Sequence, residues 1–208
     1  MRKLPIMFLA TAFAATSVFA GFGDEPLTED EWWQKEGFFL GEAFYTQIEP
    51  KCGPGDFGSP LVGGGLGIGG EYVNQDLHFG YGGRISMSWL MKDYAGYSAD
   101  DSMFGFDAHI PVRVSNALTI YAGAGLNVHG MTVLFDQSGE IKTSGNRMTE
   151  NVFFGLRCRF YKILHLFCEY RRDFGELELG YTGSQLKKQH LDVDMSGNRV
   201  MAGLGVTF

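Results

Sequence analysis

Between Phe38 and Phe208 the chain alternates apolar residues with polar or small ones, run after run, at a period of two. That period marks strands whose two faces meet different surroundings. The cleanest run is 77–91. Leu77, Phe79, Tyr81, Ile85, Met87, Trp89 and Met91 share one face, and His78, Gly80, Gly82, Arg84, Ser86 and Ser88 share the other. The pattern returns in 104–114, 118–129, 152–160, 164–174 and 199–208. In 62–72, Val62, Leu66, Ile68 and Tyr72 oppose four glycines and Glu71. In 38–48 both faces are mixed, and Phe39, Ala43 and Tyr45 are assigned outward because that turns Glu42 inward.

Eight runs leave seven connections, and their predicted lengths alternate. Stretches 49–60, 92–103, 136–150 and 175–198 read as long loops, while short turns centre on Asn74-Gln75-Asp76, Ser115-Asn116 and Tyr161-Lys162. Long polar loops at one end and tight turns at the other predict an all-β, eight-stranded antiparallel up-and-down transmembrane β-barrel over residues 38–208. Both termini then lie at the periplasmic, short-turn side. A soluble sandwich also alternates, but its wet face would be rich in Lys, Thr and Gln. Here the polar face is built from Gly, Ser and charges of both signs, as a narrow interior requires.

Composition sharpens this picture. The 208 residues include 30 Gly, and 14% are aromatic, yet beyond residue 20 no apolar stretch approaches the ~18 residues of a spanning helix. Residues 1–20 read as a secretory signal: Arg2 and Lys3, then an apolar stretch, then Val18-Phe19-Ala20 before Gly21. Residues 21–37 read as a short periplasmic segment. The signal takes two of the 17 basic residues and none of the 24 acidic ones, leaving 15 against 24, a net charge of −9. Nucleic acid is excluded as a partner by that balance.

The inward-facing positions collect Arg84, Arg113, Arg157, Arg159 and Arg171 against Glu42, Glu71, Asp107, Glu169 and Asp173. Ten charges in a confined space are costly unless paired. Paired, they form a lumen charge network that fills and stiffens an eight-stranded barrel, which has room for side chains but for no wide channel.

Three stretches carry a family likeness. They are Ile110-Pro111-Val112 leading to Tyr121-Ala122-Gly123-Ala124-Gly125, Glu169-Tyr170-Arg171, and Ala202-Gly203-Leu204-Gly205-Val206-Thr207-Phe208. In these the chain resembles the OmpA-like and opacity-type eight-stranded outer-membrane β-barrel superfamily. The resemblance implies the fold and a place in the outer membrane of a Gram-negative bacterium. It also implies that Phe208 ends a C-terminal signal read by the barrel-assembly machinery. On activity it is nearly silent, because such barrels serve as structural proteins, adhesins and lipid enzymes.

Other candidate chemistry is thin. Glycine spacings in 63–70 mimic a nucleotide-binding loop but lack the following helix, so tight inward packing accounts for them. His78, His109, His129 and His165 are expected on inward faces, and His190 in the last loop. They show no metal-ligand spacing. His129, with Ser86 or Ser88, is the one candidate for hydroxyl–His chemistry of a lipid A-modifying enzyme. Cys158 and Cys168 are expected as cross-strand neighbours on the outward face, either bonded or as two thiols facing lipid. Trp89, Tyr94, Tyr97 and Tyr170 read as interfacial anchors. The expected function is a non-catalytic, cofactor-free outer-membrane protein with a structural or surface-contact role. Its partners are membrane lipid and lipopolysaccharide, the assembly machinery, and an extracellular ligand met by the long loops, with 175–198 the first place to look. A lipid A-modifying enzyme and a small pore are the alternatives.

Overall fold

In a computed structural model, the structure describes residues 36–49, 51–52, 55–56, 60–94, 97–135, 139–143, 146–161, 163–181 and 190–207. The proposed signal, nearly all of the N-terminal segment, and Phe208 lie outside them. Thirteen strands are present among the described residues: β1 (Gly37–Ile48), β2 (Lys51–Cys52), β3 (Gly55–Asp56), β4 (Leu61–Val73), β5 (Gly80–Tyr94), β6 (Tyr97–Arg113), β7 (Leu118–Phe135), β8 (Gly139–Thr143), β9 (Met148–Tyr161), β10 (Leu164–Phe174), β11 (Glu176–Tyr181), β12 (His190–Asp194) and β13 (Gly197–Thr207).

Eight of them, β1, β4, β5, β6, β7, β9, β10 and β13, form a closed antiparallel wall in which every strand pairs with its neighbours in chain order. Closure runs through β1 and β13, in register from Leu40↔Thr207 to Ile48↔Arg199. The period-two pattern dictates the facing. Phe39 is 74% exposed while Glu42 is 4% exposed, and the outward row continues through Ile68, Tyr81, Ile85, Phe106, Ile110, Phe154, Tyr170 and Leu204. A continuous exposed apolar belt around a wall with all its ladder bonds made is the arrangement a lipid bilayer demands of a sheet.

Short turns are fixed locally. Asn74 Oδ1 accepts hydrogen bonds from the backbone N–H groups of Asp76 and Leu77, and Ser115 Oγ accepts from those of Ala117 and Leu118. These are Asx- and Ser-type turns, so the residue types choose the connection.

Where the sequence suggested four long loops, the structure places more strand. The stretch expected as a loop at 92–103 is a continuation of β5 and β6, paired from Lys92↔Ala99 to Tyr94↔Tyr97. Part of 136–150 is β8, and 175–198 contains the β11–β12 hairpin. In 92–103 the alternation of apolar and polar residues fades while backbone pairing goes on, whereas 176–179 and 191–194 still alternate acid with aliphatic. The wall forks on β7: residues 118–128 pair with β9, and 132–135 pair with β8. The ladder of β10 with β13 breaks at Gly175 (φ +134°) and resumes as that of β11 with β12. Gly175 is required there, because a side chain rarely adopts that φ. Beyond the break β11 pairs with β8 and β12 with β2, building an upper storey on the barrel.

Two further expectations are corrected. His78 does not face the lumen; it sits exposed in the 74–79 turn at φ 56°. Cys158 and Cys168 are not opposite one another. The turn pairs Tyr161 with Leu164, and a bulge follows at Leu164/His165; together they set Cys158 against Leu166 and Cys168 against Leu156, and both thiols are free and exposed.

Candidate functional site

Inward side chains divide the lumen into three storeys. The lowest and largest is an ion-paired network. Arg84, on β5, donates from Nη1 to Glu42 at 2.9 Å, from Nη2 to Asp107 at 2.9 Å and from Nη2 to Glu169 Oε2 at 2.9 Å; its Nη1 also meets Glu169 Oε1. Arg171, on β10, donates to Asp107 through both terminal nitrogens and to Glu169 from Nε at 2.9 Å. Tyr121 adds its hydroxyl to Glu169 Oε1 at 2.9 Å. Toward the short-turn end Arg157 Nη1 donates to both oxygens of Glu71 at 2.8 Å, and His109 Nε2 lies 2.7 Å from Glu71 Oε1. Arg157 also reaches Glu42 at 3.5 Å, which joins this end to the rest.

Thus seven of the ten sequence-selected charges, Glu42, Glu71, Arg84, Asp107, Arg157, Glu169 and Arg171, form one network. Removing charge from water is expensive, and only multiple close partners make it tolerable. Asp173 stands apart, one level up. Arg113 lies at the short-turn mouth, its guanidinium 4.8 Å over the ring of Phe38. Arg159 is only half-buried, and its Nε donates to the Asn116 carbonyl at 3.0 Å; it belongs to the rim rather than the network expected of it. Its strand is ending there, and the turn's carbonyl is the acceptor within reach.

Glycine makes the room. A Cβ on Gly125 would lie 2.2 Å from Asp107 Oδ1, and one on Gly155 would lie 2.4 Å from the Tyr121 ring. Gly65 and Gly67 serve the same end: a Cβ on Gly65 would sit 2.6 Å from the Phe44 ring, and one on Gly67 3.3 Å from the Arg84 side chain.

The middle storey is smaller. Arg199 Nη2 donates to Asp173 at 2.9 Å, and Asn127 Nδ2 donates to Asp173 at 3.1 Å. His129 Nδ1 lies 2.7 Å from Asp101 Oδ2, and its Nε2 lies 2.9 Å from Thr149 Oγ1. The hydroxyl beside His129 is therefore that of Thr149, not Ser86 or Ser88. Asp101, His129 and Thr149 are each about 2% exposed. Among the described residues no three His, Cys, Asp or Glu side chains are grouped to hold a metal ion.

Sequence reasoning missed several members. Arg199 has the inward parity of the last run and was open to discovery there. Asp101 was hidden because 92–103 read as loop. The uppermost storey was missed altogether. Ile48, Leu61, Leu90, Ala99, Met131, Val133, Leu177, Leu179, Val193 and Met195 form an apolar ceiling, none of them more than 2% exposed. Its members come from strand ends and from supposed loops, so no single run announces it.

A closed eight-stranded antiparallel wall, a lipid-facing apolar belt and a side-chain-filled lumen define an outer-membrane β-barrel. No protein-family model matches the sequence, and no curated protein matches it. Solved structures do. Similar folds include the attachment invasion locus protein Ail of Yersinia pestis (14% identity over 84% of this chain and 100% of that one, TM-score 0.53). Neisserial surface protein A is similar as well (15% identity, 84% and 100%, TM-score 0.55). So is OprG from Pseudomonas aeruginosa (15% identity, 84% and 97%, TM-score 0.52). At such identities the likeness speaks for fold.

Proposed function

We propose that the protein is a non-catalytic outer-membrane barrel of a Gram-negative bacterium that presents a rigid platform to the cell exterior. The observation that carries this reading is the lumen's layering. An ion-paired belly lies beneath a dry apolar ceiling, and above the lipid level the wall continues as a paired sheet of β5, β6, β7, β8, β11, β12 and β2 rather than as open loops. A ceiling of buried aliphatic side chains offers no polar path for ions, which weighs against the pore. Carboxylates of Glu176, Glu178, Asp192 and Asp194 lie on the opposite face of the β11–β12 hairpin from Leu177, Leu179 and Val193. That face is a surface for an extracellular ligand. Lipid and lipopolysaccharide meet the belt, and the assembly machinery reads the C-terminal strand. Replacing Glu176, Glu178, Asp192 and Asp194 by their amides, with heat-dependent gel mobility retained, abolishes surface binding on this reading; unchanged binding refutes it.

One observation favours a second reading. Asp101, His129 and Thr149 stand in the order acid, imidazole, hydroxyl, the arrangement used to activate a nucleophile. Their burial under the ceiling bars a substrate in this conformation. His129→Ala leaves the lipid A mass profile unchanged if the lumen is structural, and alters it if the trio hydrolyses or transfers an acyl chain.

A further inference from the structure

The short-turn end of the lumen contains a small cavity of about 20 Å³, lined by both polar and apolar side chains, with room for a water or for one oxygen of a larger group. Its lining includes Arg113, Arg157 and Arg159, with His165, Thr207 and one carboxylate, Glu71. Arg113 and Arg157 are buried, and Arg159 closes the rim. Glu71 already accepts two hydrogen bonds from Arg157 and sits against His109. Glu71, which also attracts Arg113, and Glu42, 3.5 Å from Arg157, are the carboxylates that face Arg113, Arg157 and Arg159, two negative charges against three positive. Arg157 Nε is buried without a hydrogen-bond partner among the described residues. A buried donor of this kind costs free energy until an acceptor meets it. Planar guanidinium groups around a small hollow match the oxygens of phosphate in both charge and geometry.

We propose that this mouth binds a phosphate group presented from the short-turn, periplasmic side. One oxygen enters the cavity toward Arg157, and the remaining oxygens meet Arg113 and Arg159. Two sources supply that chemistry: free phosphate, and the headgroups of phospholipid. Exposed Phe79, Tyr81, Phe160 and Tyr161 mark the same end of the wall, which sets it at headgroup level.

The test uses the full chain folded in maltoside micelles that contain no phosphate, with labelled arginine side chains followed by NMR. Inorganic phosphate is titrated in one arm and phosphatidylglycerol is doped into the micelles in the other. A saturable shift of the Arg157 Nε–H signal with inorganic phosphate identifies the free anion, and a shift with phosphatidylglycerol alone identifies the headgroup. The R113Q/R159Q double variant weakens either response about tenfold or more. Heat-dependent gel mobility reports whether that variant folds; should it not, R159Q alone, altered only at the rim, must weaken the response. A wild-type protein that responds in neither arm overturns the proposal, as does an undiminished response in a folded variant.

Discussion

Arg171 and Asp107 meet in a two-pronged pair, Nη1 to Oδ1 at 2.9 Å and Nη2 to Oδ2 at 2.6 Å, although β7 and β9 separate their strands in the wall. The bond is therefore a strut across the lumen and not a cross-strand contact. It ties together two parts of the wall that the backbone ladder joins only indirectly.

Arg171→Met should be strongly destabilising. It leaves Asp107 and Glu169 buried with Arg84 as their remaining guanidinium, and breaking a buried pair typically costs about 3–5 kcal/mol. The D107N/R171M double variant should recover a good part of that, because the uncompensated carboxylate at position 107 is gone. Urea unfolding in lipid vesicles checks both. Equal losses in single and double variants would show that Arg171 stabilises by packing over Phe153, 4.3 Å from its guanidinium carbon, rather than by its charge.

The inward glycines lead to a sharper contrast. Gly125→Ala places a methyl group 2.2 Å from Asp107 Oδ1 and 2.7 Å from the Phe106 carbonyl oxygen. Overpacking of this kind costs about 1–3 kcal/mol. Gly37→Ala has nothing within 4 Å of its new carbon and should be near neutral. Melting of the two variants in the same detergent decides whether the high glycine content serves lumen packing.

The wall was legible in the sequence because a bilayer imposes one greasy face on each strand. Ile85, Phe106 and Leu204 reveal their facing by parity alone. The polar network was half legible. Parity put Arg84 and Glu169 on the inner face, and the charge of Glu42 argued for its facing, but only the register of β1, β5 and β10 decides that they meet. Above the lipid, parity still sets the facing, but the inward side chain is charged in Asp101, beside a histidine, and aliphatic in Leu179, in grease. Their partners come from four or five separate segments, so no local pattern could have assigned them. The Cys158–Cys168 spacing misled for a smaller reason, since the turn that pairs Tyr161 with Leu164 and the bulge after it each move the register by one.

That register predicts a cross-link. In a Cys168→Ser background, Leu166→Cys should form a disulfide with Cys158, its register partner on β9. In the unaltered protein Cys158 and Cys168 are offset by two positions and should not bond to each other. Gel mobility without reductant, after mild oxidation of the folded barrel, reads the outcome. A disulfide between native Cys158 and Cys168 would mean that the two strands slide by two residues.

The ceiling should behave as a unit of its own. Leu179 is fully buried among Leu177, Val193, Met131 and Val133, yet it lies beyond the break at Gly175, on strands that pair with β8 and β2 instead of the barrel wall. Leu179→Ala removes buried methyl groups at a cost of about 2–5 kcal/mol. That loss falls on the upper storey, because the strands of the belly keep all their own ladder bonds and ion pairs. Limited proteolysis of intact cells should therefore cut the variant in 176–194 at low protease, while the remaining barrel still resists boiling-free detergent and shifts on heating. If cutting were unchanged and the whole barrel lost heat resistance instead, ceiling and belly would unfold together, and the rigid exterior platform would be an inseparable part of the membrane wall.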